Sequence, residues 1–164
     1  MNSSRCEGVV FFDLYFDWRN TMTEVIEQNN NINQRLNQDQ LIFELAQFTG
    51  TEKWYRHALN RNLIYTDGVK FLAENGGEQG AYWFIDKVAF EIAPLLKSKN
   101  EGFGCINLSV GKIDKNQATV LVTDGNEKQL AAYHIHYRDM QTGDWKFYLI
   151  DDEMHVTLLL PSEY

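Results

Sequence analysis

Apolar residues recur at every second position through the last third of the chain, and this alternation limits the fold more than any other feature. The sets are Ile106, Leu108 and Val110; Ala118, Val120 and Val122; Ala131, Tyr133, Ile135 and Tyr137; Trp145, Phe147 and Leu149; and Met154, Val156, Leu158 and Leu160. Period two is the signature of strands with one buried face. Turn-forming residues separate the sets: Asp114-Lys115-Asn116, Asp124-Gly125-Asn126, Gln141-Thr142-Gly143-Asp144 and Asp151-Asp152. Read in order, the strands make a five-stranded antiparallel β-meander. Directly opposed partners are then Val110 with Val120, Ile135 with Phe147, and Phe147 with Val156, with Tyr137, Trp145 and Leu158 in a parallel row. A slip of one residue would turn each apolar set outward.

One apolar sheet face needs a cover, and the preceding segment supplies helices. Leu41, Ile42, Leu45 and Phe48 follow helical spacing, with Asn37 or Asp39 as N-cap and Gly50 as stop. Thr66 or Asp67 caps a short helix through Glu74, which Asn75-Gly76-Gly77 ends. Ala81, Phe84, Ile85, Val88, Ile92 and Leu95 form one stripe of a helix over about 81–97, which Pro94 should kink or end. Gly50–Tyr65 mixes loop with a short helix or strand. The expected fold class is α+β: helices in the N-terminal half packed on the meander in two layers.

The domain should span 39–164. Residues 1–38 read as a tail or accessory segment, because Glu24–Asn37 is rich in Asn and Gln and lacks a core-forming pattern. Met22 opens an ordinary protein start, so residues 1–21 are either accessory or translated from upstream of it. Gly8–Trp18 is apolar, but it is short and broken by Asp13 and Asp17. It suits neither a membrane span nor a signal peptide.

Net charge is −8, which argues against binding duplex nucleic acid, since phosphates call for clustered cations. Cys6 and Cys105 are far apart and make no disulfide or zinc pattern, so the expected compartment is the cytoplasm.

Three groups of residues bear on chemistry. Trp54, Tyr55, Arg56, His57 and Arg61 concentrate aromatic and cationic side chains, which can stack on a base or hold an anion. The plainer reading is a long connection pinned onto the core. In the meander register His134, His136 and His155 share the polar sheet face with Tyr148, with His134 and His155 on either side of it. This offers a metal or acid–base site, but two strand spacings separate His134 from His155, and an ordinary solvated face explains the row as well. Asp151-Asp152-Glu153 is accounted for by an Asp-rich turn. No G-x-S-x-G, Walker-type loop or H-E-x-x-H occurs, and Glu74–Gly80 follows a helix, so it is not a dinucleotide fingerprint.

The motifs Gly50-Thr51-Glu52, Trp54-Tyr55-Arg56-His57, Tyr65-Thr66-Asp67-Gly68-Val69 and Leu160-Pro161-Ser162-Glu163-Tyr164 resemble those of a family of small, uncharacterised bacterial and phage- or plasmid-associated proteins. The resemblance covers about 40–164. It implies a cytoplasmic protein and brings no activity, cofactor or catalytic residue.

The functional expectation is therefore a soluble non-enzymatic domain, without a cofactor, that binds another macromolecule. Its partner is a protein or a second copy of the chain. The alternatives are a small enzyme or nucleotide- or anion-binding protein using the Trp54–Arg61 cluster, and a metal-binding domain using His134, His136 and His155.

Overall fold

Chain order already departs from helices first and sheet second. The computed structural model describes residues 36–111, 117–136 and 140–164. The tail expected over 1–38, bar its last three residues, lies outside this description, as do Cys6, the first hairpin turn and Tyr137. Helix α1 (Gln38–Leu45) comes first, then strands β1 (Trp54–Arg56) and β2 (Leu63–Thr66), then α2 (Asp67–Asn75). Helix α3 (Tyr82–Lys87) runs through a π turn, Val88–Ile92, into α4 (Ala93–Lys99). Strands β3 (Phe103–Val110), β4 (Gln117–Thr123), β5 (Gln129–His136), β6 (Gly143–Asp151) and β7 (Val156–Leu159) follow, and a 3-10 turn covers Pro161–Glu163.

Local sequence accounts for the helices. Asn37 and Gln40 form a reciprocal capping box at the start of α1, each side chain accepting from the other's backbone N–H at 2.9 Å. Pro94 has no N–H to give the Phe90 carbonyl. The helix absorbs this by widening just before it, where Ala93 N–H reaches back five residues to the Val88 carbonyl. Pro94 thus sits inside a continuous helical run that ends on Asn100 in the left-handed conformation, φ 55°.

The sheet corrects the expected meander. It has seven strands in the order β1-β2-β7-β6-β3-β4-β5, and it is mixed, because β2 runs parallel to β7. Strand β6 pairs with β3, so the Gln141–Asp144 segment leads a crossover past β3 and β4 instead of closing a hairpin. The opposed pairs are Val110 with Ala118, Leu108 with Val120, Ile106 with Phe147, and Leu149 with Leu158. The expected pairs Val110–Val120, Ile135–Phe147 and Phe147–Val156 do not occur. Alternation fixes which side a residue faces but not which neighbour it meets. The expected inward sets therefore survive the change of partner in β3, β4 and β6 and from Val156 on, whereas Met154, expected inward, lies in the turn before β7 and is exposed.

The helices cover one face. Phe84 of α3 sets its ring 4.5 Å from Phe147, and Leu96 of α4 lies against Gly104, where an added Cβ would come within 3.0 Å of its methyl carbon. Phe147, Ile106, Leu108, Val120, Leu149 and Leu158 are fully buried there. The opposite face carries Asn107, Ser109, Thr119, His134 and Lys146, plus an aromatic trio: Tyr148, Phe103 and Tyr164 have ring centroids 5.2–6.2 Å apart.

Candidate interaction surface

The Trp54–Arg61 cluster is built by a hairpin. Strand β1 pairs antiparallel with β2, Tyr55 opposite Tyr65, and the chain between them folds against the long helix. Tyr55 stacks on Tyr65 at 5.9 Å, and Lys70 lies 4.8 Å above the Tyr55 ring. His57 is buried and uses both ring nitrogens. Nδ1 accepts from Asn60 N–H at 2.9 Å, so Nε2 carries the proton and donates to Asp86 Oδ1 at 2.8 Å. Asn60 in turn donates to the Ala89 carbonyl at 2.6 Å, and the His57 ring meets the edge of Phe90. Arg56 donates to the Arg61 carbonyl and, at 3.2 Å, to His155 Nε2. Trp54 and Arg61 are exposed.

These contacts tie the 57–62 loop to α3 and the π turn. His57→Ala removes two hydrogen bonds and a ring contact at a buried position, which should cost about 2 kcal/mol. Urea unfolding measures it. A loss below about 0.5 kcal/mol would mean that the loop is held without His57.

The histidine row is rearranged. His134 opposes Thr119, while Tyr148 opposes Cys105 and Leu159, and β3 and β4 lie between β5 and β6. His155 falls in the β6–β7 turn, where Asp152 accepts from its N–H and from that of Met154. Those bonds hold the Asp152 carboxyl below the usual carboxylate range. His134 and His136 remain together on β5, and Tyr148 stands opposite neither His134 nor His155.

Two features were not legible in the sequence. Glu163 returns from the chain's last turn to the start of α2. Its carboxylate accepts from Thr66 Oγ1 at 2.5 Å, from Gly68 N–H at 2.9 Å and from Leu160 N–H at 2.9 Å. Thr66 is the N-cap residue as expected, but its side chain makes no cap hydrogen bond, and the Gly68 N–H is taken instead by a carboxylate nearly a hundred positions away. Burial raises the Glu163 carboxyl above its ordinary value against the pull of these donors, and the neighbouring Asp67 carboxyl adds to the rise. Asp67 also borders an open cleft of about 520 Å³, lined by Gln47, Phe48, Thr49, Gly50, Thr51 and Glu52. Three of the four motifs therefore converge: 50–52 and 65–69 on this cleft, 160–164 on the α2 start.

The second feature is the far sheet edge. Strand β5 ends the sheet, and among the described residues no strand pairs with its outer side. Gly111 N–H bonds the Gln117 carbonyl, so alternate β4 residues from Gln117 on face β3. Ala118, Val120 and Val122 then bond to Ile135, Tyr133 and Ala131, and the backbone groups of Ala132, His134 and His136 point away from the sheet. Those three side chains are exposed. The strand is eight residues long and contains no Lys, Arg, Asp, Glu or Pro. Proteins ordinarily blunt such an edge with charge, proline or brevity. The opposite edge, β1, has only three residues and carries Arg56. A register shift at Val122/Thr123 disturbs β5 pairing only near its start.

Comparison with protein families matches residues 39–164 to one described as a family of unknown function, DUF6876. The chain belongs to this family. The match begins inside α1 and takes in every strand, so the hairpin, the Glu163 closure and the β5 edge all belong to the DUF6876 region. No curated protein and no solved structure matches the chain. Among the described residues, no helix is long and apolar enough to cross a membrane.

Proposed function

We propose that this DUF6876 domain is a non-enzymatic binding module that holds another protein by strand addition along β5. The carrying observation is the edge itself: eight residues, no charged or proline residue, and three outward-facing backbone positions beside small or neutral side chains. Main-chain hydrogen bonds supply affinity in such a complex, and alternate side chains supply selectivity. The Trp54–Arg61 cluster supports this reading by default, because His57 and Arg56 spend their hydrogen bonds within the chain. The buried free thiol of Cys105 suits a reducing, cytoplasmic setting.

Affinity capture from a host extract at nanomolar bait tests the proposal. Ala132→Lys with His134→Lys places two charges on the open edge without touching the β4 ladder. A protein captured by the wild type should be lost from this variant while its melting curve stays unchanged. Capture that survives the edge variant but disappears with Arg56→Gln and Arg61→Gln would move the site to the β1 hairpin and overturn the proposal.

A further inference from the structure

Resting on that reading of the edge, we infer that β5 also pairs with β5 of a second copy, joining two sheets into one of fourteen strands. The edge is self-complementary. Outward backbone groups fall on Ala132, His134 and His136, so a two-fold axis at Tyr133 sets Ala132 opposite the partner's His134. On the helix-covered face the same axis sets Ala131 opposite the partner's Ile135 and Tyr133 opposite the partner's Tyr133. The register uses Leu130–His136, a pairing ~23 Å long at about 3.3 Å per residue.

Charge selects this edge for self-contact. A chain of net charge −8 repels its own copy wherever carboxylates meet. Strand β5 brings none, and its like-with-like pairing sets no charge against its equal. Apolar area selects it as well. Ala131 and Tyr133 are only half-buried although they lie on the core face, and among the described residues no further strand lies beyond β5. A second β5 would cover their remaining surface. Seven paired residues bury less than the about 800 Å² per partner of standard complexes, so a weak, reversible dimer is expected. Self-pairing and partner capture then compete for one edge.

Sedimentation equilibrium on the full chain from about 1 to 300 μM tests the inference. The wild type should pass from monomer to dimer across this range, and Ala132→Lys with His134→Lys should stay monomeric with an unchanged melting curve. Amide exchange gives a reading without substitution. The N–H groups of Ala132, His134 and His136 should slow several-fold or more at high concentration, while those of Tyr133 and Ile135, already facing β4, should change little. A wild type that is monomeric throughout overturns self-pairing, and so does a dimer that persists in the edge variant. Either result is separable from the capture experiment, which runs at bait concentrations far below self-association.

Discussion

Phe147→Ala should lower the unfolding free energy by about 3–5 kcal/mol, the range for truncating a fully buried aromatic side chain. Phe147 has no exposed surface, lies 4.5 Å from the Phe84 ring and stands opposite Ile106 in the middle of the sheet. Its strand is hydrogen-bonded on both sides, by β3 and β7, so the backbone cannot move in to refill the space. Lys146→Ala, one residue earlier and on the opposite face, removes an exposed side chain that rests near the Tyr148 ring. It should cost no more than about 0.5 kcal/mol. Urea midpoints with a shared slope measure both. Equal losses would mean that the face carrying Lys146 is packed as tightly as the face under the helices.

The contrast between those neighbours was legible in the sequence, because alternation alone assigns Phe147 inward and Lys146 outward. The partners of Phe147 were not. Period two makes every apolar strand a plausible neighbour for every other, and chain order then suggests a meander. What overrode chain order is the length of the 136–143 connection and the place taken by β7 between β6 and β2. The short strands β1 and β2 were unassigned because three or four residues are too few to show a period. Strand β1 pairs only with β2, and β2 reaches the rest of the sheet through Val156–Leu158, distant in the chain and parallel to it. Asn37 as one of two N-cap candidates and the end of α2 at Asn75 were readable, since those signals are local, whereas the long helix runs two residues past the expected Lys97. Long-range closure was not: no local pattern announces that Glu163 will cap α2. Two features of the sequence bear on it: Gly68 in the second position of a helix, where glycine is a poor helix former, and a carboxylate at the end of a proline-led turn. The aromatic and basic residues of 54–61 drew attention by composition, which does not register that a backbone N–H and a carboxylate already satisfy His57.

Glu163→Ala should cost about 3 kcal/mol, although Glu163 lies in the short turn that follows the last strand. Three donors lose their acceptor at once: the Thr66 hydroxyl, the Gly68 N–H and the Leu160 N–H. Thr66, Gly68 and Leu160 are buried, so water cannot readily replace the carboxylate, and each orphaned group costs about 1–3 kcal/mol. The negative charge at the α2 start is lost as well. Removing a carboxylate crowded by Asp67 returns part of this. Gly68→Ala attacks the same closure from the other side. Its Cβ would stand 2.6 Å from Leu160 Cδ1 and 2.8 Å from Glu163 Oε1, so the last turn must lift away, at about 2–3 kcal/mol. Because both changes break one contact, the double variant should lose clearly less than the sum. Glu163→Gln keeps one acceptor oxygen and offers a donor to the buried Asp67 Oδ1, but its –NH2 must face a backbone N–H, so it should cost about 1–2 kcal/mol, less than Glu163→Ala. It also isolates the proton. The folded Glu163 carboxyl titrates above the ordinary 4.5, so its proton is bound more tightly in the folded state. That contribution is complete below about 4.5 and is lost as pH rises through the raised value. The stability of the wild type relative to Glu163→Gln should therefore increase as pH falls from 7 toward 4.5. A relative stability that is flat or falls over that interval would show that the three donors outweigh burial and leave the carboxylate ionised. Additive losses for Gly68→Ala and Glu163→Ala would break the closure into two unrelated contacts.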